Sequence, residues 1–141
     1  MERTTSDVDE FLDRRSGKRG EDMRLLDTAI RERMPDAGRY LYEGTFWGGS
    51  DQQIVGYGVL DYQNRSGADV EWFLIGIAEQ KNHLSIYVNA VVDGEYLLRQ
   101  YEDKLGKAKV GSASIGFDSV ADLDVDILFE MIDRAADSLE L

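Results

Sequence analysis

The sequence predicts an α+β domain: an antiparallel sheet of about five strands, with N-terminal and C-terminal helices packed on one face. Three observations carry that reading. Apolar residues recur at helical spacing up to Met34 and again near the C-terminus. After Asp36 the period changes to strand-like alternation. The alternating runs are joined by short turns, and strands so joined must be antiparallel, since a parallel pair needs a long crossover.

Each element has its own signal. Ser6 to Arg15 read as a short helix, with Ser6 as its cap and Val8, Phe11 and Leu12 on one face. "SGKRG" breaks that run. Glu21 to Met34 read as a longer helix with Met23, Leu26, Ile30 and Met34 on one stripe. It stops before Pro35, the only proline, because a residue preceding proline avoids the helical region. "RYLYEGTFW" is the first strand, with "GGSD" as a turn, and "QQIVGYGVLDYQ" the second, with "NRSG" as a turn. "DVEWFLIGIAE" and "HLSIYVNAV" follow as strands three and four. Asp93 is expected to cap a helix running to about Leu105, closed by Gly106. "KVGSASIGF" is the fifth strand, and "SVADLDVDILFEMIDRAADSLEL" closes the chain as a helix.

The 141 residues are read as one domain, 1–141, long enough to hide roughly 68% of its unfolded surface. There are no cysteines, which excludes disulfides, thiolate metal sites and cysteine nucleophiles, and points to a reducing, cytoplasmic setting. No apolar run reaches the roughly 20 residues of a membrane helix, and "MERTTSDVDEF" lacks a signal-peptide layout. A net charge of -12 argues against nucleic acid as a partner. The acid excess lies from Leu41 onward, while Met1 to Tyr40 is nearly balanced. Arg14, Arg15, Lys18 and Arg19 form a basic cluster around Gly17, read as a solvated helix corner.

The third and fourth strands meet around "QKNH", beside His83, the only histidine. A two-residue loop, Lys81-Asn82, sets Gln80 opposite His83. Ile77 then faces Ile86, Ile75 faces Val88 and Phe73 faces Ala90, an apolar set expected to be the core side. The other side carries Trp72, Leu74, Gly76 and Ala78 beside His83, Ser85, Tyr87 and Asn89. That mixed aromatic and polar surface, with a gap at Gly76, suits binding, and Trp72, His83, Tyr87 and Asn89 are the candidate ligand-binding residues. Gly56 and Gly58 either extend it or make room for aromatic neighbours. His83 is expected at a strand start, partly exposed.

Few chemistries have a signature here. No G-x-S-x-G, P-loop or dinucleotide fingerprint is present. One histidine and no cysteine leave no transition-metal motif, so only carboxylate sites for hard cations remain. Asp122, Asp126, Glu130, Asp133 and Asp137 line one side of the last helix, opposite Ile127, Leu128, Met131, Ile132 and Ala135, as in any amphipathic surface helix. A general base would have to be Glu79 or Asp61 near His83, and no catalytic residue is assigned.

"IVGYGVLDYQNRSGADVEWFLIGIAEQKNHLSIYV" followed by "KLGKAKVGSASIGFDSVADLDVDILFEMI" resembles the YdhG-like family, a domain-of-unknown-function family, in its longer-hairpin branch. The order and spacing of "VGYG", "SGADVEW", "KNHLSIY" and "ADLDVDIL" carry the likeness, which covers nearly the whole chain. It implies a small cytosolic bacterial protein in a two-layer arrangement similar to frataxin-like iron chaperones. In those proteins an acidic ridge takes iron and the open sheet face meets partners. The charge-balanced N-terminal helices of this chain depart from that pattern, and no metal ligand is carried over. The expectation is therefore a non-enzymatic binding module holding a small ligand or partner protein on the open sheet face, as monomer or homodimer. The alternative is an iron-binding chaperone using surface carboxylates. No resident cofactor is expected, iron being cargo only under that alternative.

Overall fold

The computed structural model describes residues 2–46, 50–63 and 66–138. Trp47, the turns "GGSD" and "NRSG" and the end of the closing helix lie wholly or partly outside them. The chain enters through a two-residue strand, β1 (Glu2–Arg3). Helix α1 (Val8–Asp13) follows and buries Val8 and Leu12. Its cap is Asp7 rather than Ser6. Asp7 is the extended residue directly before the helix, and its carboxylate accepts the Glu10 N–H at 3.0 Å.

Helix α2 (Gly17–Arg33) starts four residues before the expected Glu21. Gly17 reverses the chain alone, at φ +69, so most of "SGKRG" is already helical. Its buried stripe is Met23, Leu26 and Ile30, with Met34 as C-cap before Pro35. The stop falls where the proline places it.

Next come β2 (Arg39–Phe46), β3 (Ser50–Gln63), β4 (Asp69–Glu79) and β5 (Leu84–Val88). Strands β6 (Val91–Val92) and β7 (Glu95–Tyr96) form a small hairpin of their own. Its turn is Asp93-Gly94, both left-handed, at φ 56 and 81. The helix expected from Asp93 to Leu105 is therefore absent, and a short 3-10 turn, Leu97–Tyr101, follows instead. Asp-Gly between extended residues favours a hairpin turn over a helix cap. Strands β8 (Lys109–Val110) and β9 (Ser114–Phe117) replace the single fifth strand. The Gly111 N–H donates to Ser114 O at 2.8 Å and folds that run back on itself.

The main sheet has seven antiparallel strands in the order β1-β2-β3-β4-β5-β9-β8, against the five expected. The two extra strands are β1 and the second half of the split run. Helix α3 (Val125–Ser138) begins later than Ser119, which instead caps a 3-10 turn over Val120–Asp122. The Asp124 carboxylate accepts the Ile127 N–H at 3.2 Å and serves the true helix start. No helix among the described residues is long and apolar enough to cross a membrane.

Register at the β4–β5 hairpin follows the apolar pairing: Ile75 opposite Val88 and Ile77 opposite Ile86. These four join a large core with Leu12, Met23, Leu26 and Ile30 of the first two helices and Leu128, Met131 and Ile132 of α3. Two buried carboxylates lock it. Asp27 accepts the Tyr57 hydroxyl at 2.6 Å and Arg39 through both oxygens at 3.0 Å. Asp22 accepts the Val120 N–H at 3.1 Å and pairs with Lys18 at 3.2 Å. Burial of either carboxylate without such partners would cost several kcal/mol, more than burying a neutral polar group.

Phe73 is the exception to the expected facing. It joins a second cluster, with Tyr42, Ile54, Ala78 and Tyr87, made of strand residues alone. Leu74, expected on that side, joins the large core instead. Strict alternation along β4 breaks because the β3–β4 ladder skips the Gly58–Leu74 position. Gly58 sits at φ +77 and its N–H donates to Gly38 O at 2.9 Å. A left-handed residue inside a strand rotates the pleat, so a two-residue period no longer tells which side is which.

Candidate functional site

The second cluster is built by β2, β3, β4 and β5 around the Phe73 ring. Gly56 and Gly76 pair across the β3–β4 ladder, and Tyr87 pairs with Gly76 from β5. A Cβ at Gly56 would come within 2.7 Å of the Phe73 Cβ, and one at Gly76 would collide with the Phe73 ring. Both glycines thus make room for the aromatic ring. The gap expected at Gly76 is filled by Phe73 and is not a notch for a ligand.

Trp72 stacks on Phe73 with centroids 4.4 Å apart and planes 29° from parallel. Tyr42 meets Trp72 edge-on at 6.1 Å, and Tyr87 meets Phe73 edge-on at 6.1 Å. Such offset and edge contacts are the preferred aromatic geometries and add about 0.5–1.5 kcal/mol per pair to simple burial. Tyr42 is held further by its hydroxyl, 3.3 Å from Glu71, which in turn pairs with Arg3 at 3.3 Å. Burial and the Glu71 charge push the Tyr42 hydroxyl well above the ordinary tyrosine value.

Three of the four candidate residues, Trp72, Tyr87 and Asn89, line one small pocket of about 180 Å³ with Tyr96, Ser112, Ala113 and Ser114. Trp72 is half-buried. Tyr87, expected on an outward surface, is only 9% exposed, because it packs on Phe73 from the side. Its hydroxyl accepts from Gln80 Nε2 at 3.1 Å, and burial raises it above the ordinary value despite that bond. Asn89 donates its side-chain N–H to Phe73 O at 2.8 Å, and its backbone N–H donates to Leu74 O at 2.8 Å. The pocket walls are therefore braced by the cluster behind them.

His83 stands apart from those three. It is exposed, directly before β5, with Gly116 beneath its ring: a Cβ there would lie 3.2 Å from the imidazole Cδ2. It borders a wider, shallow groove of about 820 Å³ with Lys107, Lys109, Gly111, Asp118 and Asp122 among its walls. Ser114 touches both cavities. The structure therefore brings together Trp72, Tyr87 and Asn89, and leaves His83 at the neighbouring groove.

The groups considered for other chemistry lie open. Glu79 and Asp61 are both exposed, so neither carboxylate sits in a closed pocket. Among the described residues no three of His, Cys, Asp and Glu come together to hold a metal ion. The acids Asp126, Glu130, Asp133 and Asp137 are exposed along α3, and Asp133 pairs with Arg33 at 2.7 Å. The basic corner is occupied by its own neighbours. Arg14 pairs with Glu10, Arg15 lies over the Phe11 ring, Lys18 holds Asp22, and Arg19 donates to Asn82 O at 2.6 Å.

Tyr96, Ser112, Ala113 and Ser114 are the pocket residues that sequence reasoning missed. The signal for Tyr96 was present in "VVDGEY", whose Asp-Gly turn places Val91 opposite Tyr96. Ser114 carried none, because the split into β8 and β9 depends on a turn with no strong marker beyond Gly111. Comparison of the chain with protein-family models, curated proteins and solved structures gives no match.

Proposed function

We propose that this protein is a non-enzymatic binding module whose ligand sits in the aromatic pocket at Trp72, Tyr87, Asn89 and Tyr96. Under this reading the helices cover one side of the sheet and the aromatic side is left for a ligand. The observation that carries it is the convergence of three aromatic side chains and an amide on one pocket, backed by a cluster to which no helix contributes. Few ligand pockets need more than a largely apolar wall with a small number of placed polar groups. The iron-chaperone alternative rests on the acid excess and the family likeness alone, with no group of three or more potential metal ligands among the described residues to add to them. Kinship with the YdhG-like family and a cytoplasmic location are part of the same proposal, and rest on the sequence likeness and composition alone.

A ligand-observed NMR screen of small cationic, anionic and neutral compounds tests it. Hits should shift the amide signals of Tyr87, Asn89, Tyr96 and Ser114 and be lost in Tyr96→Ala, which is expected to leave the fold intact because Tyr96 is exposed. Hits that map elsewhere, or no hit in any class, overturn the reading.

A further inference from the structure

We infer that the pocket at Trp72, Tyr87 and Tyr96 is an aromatic cage for a quaternary ammonium group, a proposal that rests on the binding-module reading and names its ligand class. Three features point there. Three of the seven lining residues are Trp or Tyr, and the others are Asn89, Ser112, Ala113 and Ser114, so no side chain of the wall carries a charge. A cation entering it meets aromatic rings and neutral dipoles with no like charge to oppose it, and attraction to an aromatic face is largest when water is excluded.

The size fits. At about 180 Å³ the pocket is below the usual range for drug-sized ligands and close to that of a cavity holding one benzene ring. A compact trimethylammonium head fills such a space, and a larger anion or nucleotide does not.

The field fits as well. The chain carries 28 acids against 16 bases, so the molecule as a whole draws cations and repels anions. The lysines that could reverse this locally, Lys107 and Lys109, line the adjoining groove and not the cage. Tyr96 completes the wall from the β6–β7 hairpin, where it is 43% exposed, and can thus be changed without disturbing the cluster behind Trp72.

The test is a titration, followed by two-dimensional NMR, with choline, with its neutral isostere bearing a tert-butyl group in place of trimethylammonium, and with trimethyl-lysine and unmodified-lysine peptides. Choline is expected to shift the Trp72 indole and the Tyr87 and Tyr96 signals and to bind at least about tenfold tighter than the isostere. Tyr96→Leu keeps apolar bulk but removes the ring, and should weaken choline by about tenfold with the spectrum otherwise unchanged. Tighter binding of the trimethyl-lysine peptide than of choline, with the unmodified peptide inert, identifies a protein tail as the source of the group. Tighter binding of choline identifies a small molecule, and either supports the cage. Equal binding of choline and isostere overturns the ammonium assignment while leaving the pocket as a binding site. No binding of any of the four overturns the ammonium assignment, and the screen of other classes then decides separately whether the pocket binds anything.

Discussion

Tyr57 and Tyr87 are both buried tyrosines of one sheet, yet their hydroxyls finish in different company. The Tyr57 hydroxyl ends on Asp27, inside a network that also holds Arg39 and, at 3.7 Å, Arg31. The Tyr87 hydroxyl accepts from Gln80, the residue after β4, and Tyr87 also lines an open pocket. The first belongs to a core sealed by three helices, the second to a cluster whose border residues Tyr40 and Trp72 are only partly covered. The difference separates two uses of apolar surface. One region is completed by the chain itself, and the other is braced but incomplete.

The largest effect should come from the sealed side. Asp27→Ala strips Arg39 and Tyr57 of a shared buried acceptor and is expected to cost about 3 kcal/mol, the low end for such pairs because Arg39 keeps Asp9 at 2.8 Å. Urea denaturation midpoints measure it. Ile77→Ala should cost a similar amount, about 2–4 kcal/mol, whereas Trp72→Ala should cost about 1–2 because its ring is already half in water. Equal costs for the two would mean that the aromatic cluster is ordinary core, and the comparison would collapse.

Overpacking sharpens the same contrast. Gly76→Ala drives a methyl into the Phe73 ring and is expected to destabilise by about 1–3 kcal/mol. Phe73→Leu in the same chain should recover part of that loss, a coupling that a double-mutant cycle reads directly. Additive costs would show that Phe73 does not fill the glycine gap.

The tyrosines give a pH signature. Burial first, and Asp27 second, push the Tyr57 hydroxyl well above its usual value. A raised folded value means full stability below the unfolded value of about 10, and a decline as the pH rises from there toward the folded value, because the unfolded chain ionises first. Tyr57→Phe should flatten that alkaline decline in denaturation midpoints taken between about pH 8 and 11. The smallest effect is Tyr96→Ala, expected within about 0.5 kcal/mol of wild type in stability while abolishing pocket binding. A large stability loss there would assign Tyr96 to the fold.

Much of this was legible in the sequence. The bounds of β2, β3 and β4 follow the strand-like runs closely, β3 starting two residues earlier at Ser50, because those runs are rich in apolar and aromatic residues between turn signals. The β4–β5 register was legible because it pairs Ile75 with Val88 and Ile77 with Ile86, and a one-residue slip would turn those side chains over. Phe73 was misplaced because nothing in "GYGVL" announces that Gly58 is left-handed and bonded to Gly38. The loss of Tyr96 from the candidate site followed from reading Asp93 as a helix cap, when the glycine after it allows a tighter local turn. His83 drew attention by being unique, but scarcity alone says nothing about which cavity a side chain borders.

The β6–β7 hairpin stands outside the seven-stranded ladder, tied back by Leu97 N–H donating to Ala90 O at 2.9 Å. One wall of the pocket therefore stands on a two-pair hairpin, held also by Gln100 Nε2 donating to Val92 O at 3.3 Å, while Trp72, Tyr87 and Ser114 of the other walls belong to the main sheet. Displacing that wall would break none of the main-sheet ladder bonds, so under the binding reading a guest could enter and leave without opening the main sheet. Substitutions in the Asp93-Gly94 turn are then expected, on that reading, to change a guest's residence time more than the stability of the main sheet.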